Sequence, residues 1–265
     1  MTTAALPQRS SAALWAVQDT LTIVWRNLVV LRRVPQLLVF ATIQPVLFVV
    51  MFTYVFGSEI QIPGVEEYVD YLMPGIFAQT VGFGAITTGI GLAEDLGKGL
   101  IERFRSLPMA RSAVLAGRTI ADATRNAFVM VLMTAVGFLV GFRIHGGIAA
   151  YVGALALILL FTYALSWVAA VIGLGASNGE ATQAAMFPMV FPLVFASSAF
   201  VDTSFMPGWL QAFANHQPVS VTIDAARDLV LGTPVGWSVV GSIAWSLGIV
   251  AVFGPLAVRR YRRAT

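Results

Sequence analysis

The residue types that usually carry chemistry are sparse in this chain, and their spacing excludes most of what they do elsewhere. There are two histidines, His145 and His216, no cysteine, no His-Glu-x-x-His pattern and no carboxylate at ligand spacing, so the sequence gives little support to a metal centre, and thiolate chemistry is excluded. Gly91-Leu92-Ala93-Glu94-Asp95-Leu96-Gly97-Lys98-Gly99 has the glycine richness of a phosphate loop. It carries one residue too many between the glycines, and a glycine where a Mg²⁺-binding Ser or Thr belongs, so the chain has no ATPase of its own. Ion coupling across a membrane needs ionisable groups inside the apolar runs, and Glu94, Asp95, Asp122, Arg125, Arg143 and Glu180 all fall at run ends. What remains is recognition without covalent steps. Phe77, Phe83, Phe187, Phe191 and Phe195 can bind a planar or acyl molecule by area and stacking, with Gln44, Gln79 and Gln183 as polar contacts. The same phenylalanines can equally face lipid, and the same amides can tie helix to helix.

These residues are carried by six uncharged apolar stretches: Leu37–Phe56, Tyr71–Ala93, Asn126–Phe142, Ile148–Leu174, Ala181–Val201 and Leu229–Val258, the last starting its helix near Val235 after Pro234. Each can span ~30 Å of hydrocarbon at ~1.5 Å per residue. Alternating the connections leaves only Arg143 and Arg227 of the 16 basic residues on one side, so both termini are expected in the cytosol by the positive-inside rule. Hydrophobic residues at 58% against 11% charged exceed what a soluble core of this length needs. The net charge of +3 is accounted for by loops and a tail facing anionic headgroups, which leaves nucleic acid without a role. The first residues lack a signal-peptide core, so the first run is expected to be retained as an anchor.

The fold class expected is therefore an all-α integral membrane protein with three parts: a cytosolic N-terminus over 1–36, a six-span domain over 37–258 and a basic tail over 259–265. Within the first part Leu14, Val17, Leu21, Val24, Leu28 and Leu31 repeat at helical spacing beside Trp15 and Trp25, which predicts an amphipathic helix lying in the inner leaflet or packed on the bundle. Gly137-x-x-x-Gly141 permits close helix approach. Pro188 and Pro192 are expected to bend or interrupt the fifth span, which makes them hinge candidates.

The connection over 94–118 mixes charge with apolar anchors. Leu100, Ile101, Phe104, Leu107 and Met109 stand among Glu102, Arg103, Arg105 and Arg111, with Pro108 able to open a short helix. A merely solvated loop needs no such apolar set, whereas a helix docking in a partner's cleft does. The run Glu102-Arg103-Phe104-Arg105-Ser106-Leu107-Pro108-Met109-Ala110-Arg111, followed by Gly117-Arg118 and Asp122, resembles the cytosolic signature of ABC transporter permeases of type 2. Phe205-Met206-Pro207-Gly208-Trp209-Leu210-Gln211, Asn215-His216-Gln217-Pro218-Val219-Ser220 and Asp224-Ala225-Ala226-Arg227 are similar to their outer loop, most of all in the daunorubicin-type drug-resistance branch.

The resemblance implies an exporter subunit of the plasma membrane that pairs with a second permease, identical or related, and with two separate cytosolic ATPase subunits. MgATP is then bound by the partner, and this chain holds no cofactor. Glu102, Arg103, Phe104, Arg105, Leu107, Pro108, Met109 and Arg111 would couple to the ATPase. Gln79, Phe83, Gln183, Phe187, Phe191 and Phe195 would line the path of a hydrophobic small molecule. Short helices over 202–235, dipping into the outer leaflet, would form a gate with Pro207, Trp209, Pro218, Asp224 and Arg227. A drug or antibiotic-like cargo is expected, with a lipid or lipid-linked polymer as the alternative on the same architecture. An ATP-independent channel or secondary transporter is the alternative of another class.

Overall fold

The computed structural model describes residues 36–57, 65–97 and 111–263, with isolated positions 21, 22, 24, 25, 29, 60 and 62. Every element among the described residues is helical, as hydrocarbon demands of a backbone that must satisfy its own polar groups. Helix α1 runs Gln36–Met51 and widens into a π-helical turn over Phe52–Phe56. Then come α2 (Tyr68–Gly97), α3 (Arg111–Val140), α4 (Gly147–Gly173) and α5 (Gly179–Phe195). A 3₁₀ turn at Thr203–Phe205 leads to the short α6 (Gly208–His216) and α7 (Pro218–Leu231), and α8 (Trp237–Arg263) closes the bundle.

Four of these are long and apolar enough to cross a membrane: α2, Gly117–Val140 of α3, α4 and α8. The apolar part of α1 with its π turn, Thr42–Phe56, is shorter, and α5 has 17 residues. Two-thirds of the most apolar window of α2 and of α4 is buried, against 28% for α3 and 17% for α8. The first two therefore form the centre, and the others present apolar surface outward. Glycine lets the central pair meet: a Cβ on Gly173 would overlap the carbonyl of Gly89.

Several boundaries differ from those read in sequence, each for a local reason. α3 starts at Arg111, so Arg118, Asp122 and Arg125 lie on the same continuous helix as the third apolar run, ahead of it in the chain. Gly141 takes φ +113° and terminates α3, so it offers no packing face; Gly137 alone of that pair meets a neighbour, Met73. α5 runs without interruption through Pro188 and Pro192 but stops at Phe195, short of Val201. There Ser197 turns its hydroxyl onto the Val194 carbonyl and receives the Ala199 N–H, and the chain presses its Ala199 carbonyl onto Gly75. α8 continues through the basic residues to Arg263, with Tyr261 buried against Leu92, Trp167 and Leu174 and Arg260 donating to the Val171 carbonyl. The segment 259–263 is thus a helix end anchored by Tyr261, with its arginines exposed.

Candidate functional site

Two ends of the bundle and a groove between them hold the polar and aromatic side chains singled out above. At the end where α2 begins, α7 packs on the core and the short α6 rests on α7 and the 3₁₀ turn. Pro218 opens α7 at its first position, and the Gln217 side chain accepts from the Val219 N–H. Its amide also donates to the Leu193 and Ala196 carbonyls, which the end of α5 leaves without partners. Arg227, expected in an external loop, is buried: its Nε donates to the Tyr71 carbonyl at 3.1 Å, Nη1 to Asp224 Oδ1 at 2.9 Å and Nη2 to the Ser198 carbonyl at 2.7 Å. The guanidinium carbon stands 3.5 Å from the Tyr71 ring centroid. Ser198 Oγ donates to Asp224 at 2.6 Å, and Tyr68 donates to the Phe200 carbonyl at 2.7 Å. Desolvation raises the Asp224 carboxyl above the ordinary carboxylate range, opposed by Arg227 and the Ser198 hydroxyl. Asp70 is buried in the first turn of α2; it accepts from the Arg143 N–H and pairs with His145 Nε2, both at 2.7 Å.

Of the expected gate residues, Asp224 and Arg227 are thus locked into this cap, while Pro207 precedes α6 and Trp209 is 76% exposed on it.

Beneath the cap, α1, α2 and α5 enclose a groove of about 320 Å³ lined by Gln44, Phe48, Phe83, Ile86, Thr87, Ile90, Gln183, Phe187, Phe191 and Phe195. Phe187, Phe191 and Phe195 follow one another at four-residue spacing on α5, so their rings stack along one helix face with centroids 5.4 and 4.4 Å apart. The ladder continues to Phe83 at 6.1 Å at one end, and to Phe200 and then Phe52 at 5.2 and 4.7 Å at the other. Phe187 and Phe191 are 46% and 42% exposed. Five of the six residues expected to line a path, Phe83, Gln183, Phe187, Phe191 and Phe195, share this groove. The sixth, Gln79, lies in an adjoining cavity on the other side of Phe83. Phe77 lines neither and packs in the core.

That adjoining cavity contains Arg118, Arg125 and Asn126 of α3, which the sequence reading left out. Arg118, Asp122 and Arg125 recur at i, i+4 and i+7, a one-face stripe that was readable had the helix been started at Arg111. Arg118 donates to Asp95 at 2.7 Å, Arg125 stands 3.6 Å from Asp122, and Thr88 donates to Asp122 at 2.6 Å.

The coupling candidates Glu102, Arg103, Phe104, Arg105, Leu107, Pro108 and Met109 lie outside the described residues, as does most of the amphipathic N-terminal stripe. Arg111 is the first residue of α3. No group of three or more potential metal ligands occurs among the described residues.

Comparison with known proteins adds to this geometry. The profile of the ABC-2 type transporter family matches residues 18–231. The chain is 37% identical over 247 residues to a daunorubicin resistance ABC transporter permease protein of Streptomyces coeruleorubidus, covering 93% of this chain and 87% of the relative. It is 28% identical over 261 residues to a probable doxorubicin resistance ABC transporter permease protein of Mycobacterium tuberculosis, with 98% and 94% covered. A putative transport permease of Cyanophora paradoxa is 24% identical over 83% of this chain and 77% of its own length.

Proposed function

Because the chain belongs to the ABC-2 type transporter family, we propose that it is the membrane subunit of an ATP-driven exporter that moves hydrophobic or amphiphilic, drug-like molecules out of the cell. The observation that carries the cargo class is the phenylalanine groove between α1, α2 and α5, apolar on all sides except for Gln44, Gln183 and Thr87. Such a surface binds by area and ring stacking and tolerates variety in what it binds.

In this reading α1 to α5 and α8 are the six spans of a plasma-membrane protein with both termini cytosolic, and α6 with α7 sits in the outer leaflet. Two permease subunits, two copies or a related pair, face each other and rest on two ATPase subunits. ATP binding closes the ATPase pair and draws the segments around Leu107, Pro108 and Met109 together, with Arg103, Arg105 and Arg111 paired to acidic residues of the motor. The motion reaches the groove through α2 and α3, which flank that segment. α5 responds at Pro188 and Pro192, where the helix ladder lacks two donors. A molecule taken from the inner leaflet moves along the α2 and α5 faces toward the cap, which parts to release it.

The test is reconstitution with the cognate ATPase subunit in inside-out vesicles. ATP-dependent accumulation of daunorubicin is expected, falling away when Phe187 and Phe191 are both replaced by Ala. Movement that proceeds without the ATPase, or drug transport unaffected by the double replacement, would overturn the reading. Replacement of Leu107 and Met109 by Ala is expected to leave ATP hydrolysis in place and abolish export, and normal export would sink the coupling assignment.

A further inference from the structure

On the far side of Phe83 from the aromatic groove lies a polar cavity of about 390 Å³ between α1, α2 and α3. We propose that this cavity binds an anionic oxygen group, a phosphate or carboxylate, of an amphiphile whose apolar part occupies the adjoining groove. The pairing of the two sites rests on the exporter reading; the anion site itself rests on its own chemistry.

The first reason is the set of polar atoms left without partners. Gln79 is 2% and Asn126 3% exposed, yet Gln79 Oε1, Asn126 Nδ2 and Arg118 Nε are buried with no hydrogen-bond partner. In a membrane-length helix such atoms are costly, and buried polar groups are otherwise satisfied. Two of the three are donors, and both guanidiniums line the same cavity. Asp95 pairs with Arg118 Nη1, and Asp122 accepts from Thr88 and stands 3.6 Å from Arg125 Nη1; neither carboxylate lines the cavity, and Arg118 Nε and Asn126 Nδ2 are left as donors. A ligand oxygen carrying negative charge therefore meets convergent donors, which is how guanidinium and amide groups recognise phosphate and carboxylate. Gln79 Oε1 supplies the one acceptor, suited to a hydroxyl beside the acidic group.

The second reason is that the backbone is built to make this room. A Cβ on Gly91 would overlap the Arg118 guanidinium, and one on Gly84 would crowd the Asn126 amide. The two glycines lie seven residues apart on one face of α2, so they open a strip of bare backbone opposite the arginine stripe of α3. The Gly84 carbonyl is used within it, accepting from Arg125 Nη2 at 3.2 Å. The third reason is continuity. Gln44, Phe83, Thr87 and Ile90 line both the polar cavity and the aromatic groove, so one molecule can occupy the two at once.

A membrane phospholipid and an acidic exported compound offer the same group, and the experiment separates them. The complex with its ATPase subunit, in phosphatidylcholine nanodiscs, is titrated with radiolabelled dodecyl phosphate and with dodecyltrimethylammonium. Saturable binding of dodecyl phosphate is expected, stronger than that of the cation by about tenfold or more and weakened by about tenfold in Arg125→Gln and in Asn126→Leu, with Arg125→Lys retaining most of it. Equal binding of the two amphiphiles, or affinity unchanged in both variants, would overturn the proposal. Should Arg125→Gln fail to assemble with the ATPase, Asn126→Leu, which removes only an unpartnered amide, decides the matter. Competition by added phosphatidylglycerol identifies a lipid as the occupant, and absence of competition identifies the transported molecule; the site stands in either case. Dodecyl phosphate binding that survives while ATP-driven daunorubicin movement is absent would sink the exporter reading alone. Normal drug movement with no dodecyl phosphate binding would sink this site alone.

Discussion

The cap over the beginning of α2 and the cavity beside Phe83 contain the same kinds of group and use them in opposite ways. In the cap, one guanidinium satisfies two backbone carbonyls and a carboxylate and lies on a tyrosine face, and Asp224 receives the Ser198 hydroxyl as well. In the cavity, Arg118 Nε, Asn126 Nδ2 and Gln79 Oε1 are buried and unmatched. A closed polar network holds a fold, because breaking it exposes several unmet groups at once. An open one leaves the fold's energy short by those same bonds and has them free for a ligand. The contrast assigns stability to the cap and recognition to the cavity and groove, and each assignment can be broken separately.

The largest effect is expected from Arg227→Leu. The side chain is 9% exposed, and its removal strands Asp224 together with the Tyr71 and Ser198 carbonyls. A cost of about 3 kcal/mol is expected, toward the lower end for a broken buried pair because Asp224 keeps some solvent. It is read as a lowered unfolding temperature in detergent and a collapse in yield of the assembled complex. Wild-type stability would remove the cap from its structural role. Asp70→Asn comes next. It weakens charge-assisted bonds to the Arg143 N–H and to His145, each 2.7 Å long, while the amide oxygen can still accept one of them. About 1–2 kcal/mol of stability should be lost, by the same measurement.

How much of this contrast could be read from residues alone depends on the distance over which the signal acts. The apolar periods that place α1 to α5 and α8 are local, and so is the four-residue spacing that stacks Phe187, Phe191 and Phe195 on one face of α5. Their meeting with Phe83 and Phe48 depends on how three helices pack, which no single period encodes. The early stop of α5 escaped the hydropathy run because Ala199, Phe200 and Val201 are as apolar as the helix before them; what ends it is Ser197 bonding locally and Gly75 receiving the returning backbone. The start of α3 ahead of Arg118, Asp122 and Arg125 is hidden for a different reason. Charged residues near a run's edge suggest a boundary, whereas here the helix continues through them, with Arg118 paired to Asp95, Arg125 3.6 Å from Asp122 and Asp122 accepting from the Thr88 hydroxyl. The burial of Arg227 is likewise a tertiary fact, fixed by carbonyls some 29 and 156 residues away in the chain.

In the groove, Phe191→Ala should separate recognition from stability. A ring that is nearly half exposed and stacked at 4.4 Å on Phe195 contributes less to folding than a core phenylalanine, so about 1 kcal/mol of stability is expected to go. Drug-stimulated ATP hydrolysis should then need a several-fold higher drug concentration for half its maximum, because the lost ring area belongs to the binding surface. An unchanged concentration dependence with a large fall in unfolding temperature would place Phe191 with the core instead.

The smallest stability effect, and the sharpest contrast with Arg227, is expected from Asn126→Leu. Both positions are buried and polar, and by burial alone both replacements should destabilise. The difference lies in what each side chain leaves behind. Removing Arg227 abandons three partners; removing the Asn126 amide abandons none through its Nδ2, which has no partner to lose. Replacing an unsatisfied buried group by an apolar one of similar shape is close to neutral or favourable, so a change within about 0.5 kcal/mol is expected. The cavity beside it has room for the altered branch, although the close approach of its Oδ1 to Gly84 sets the limit on that side. A loss comparable to that of Arg227→Leu, seen as an equal drop in unfolding temperature, would mean that the amide is engaged in the folded membrane protein and that the cavity is as closed a network as the cap.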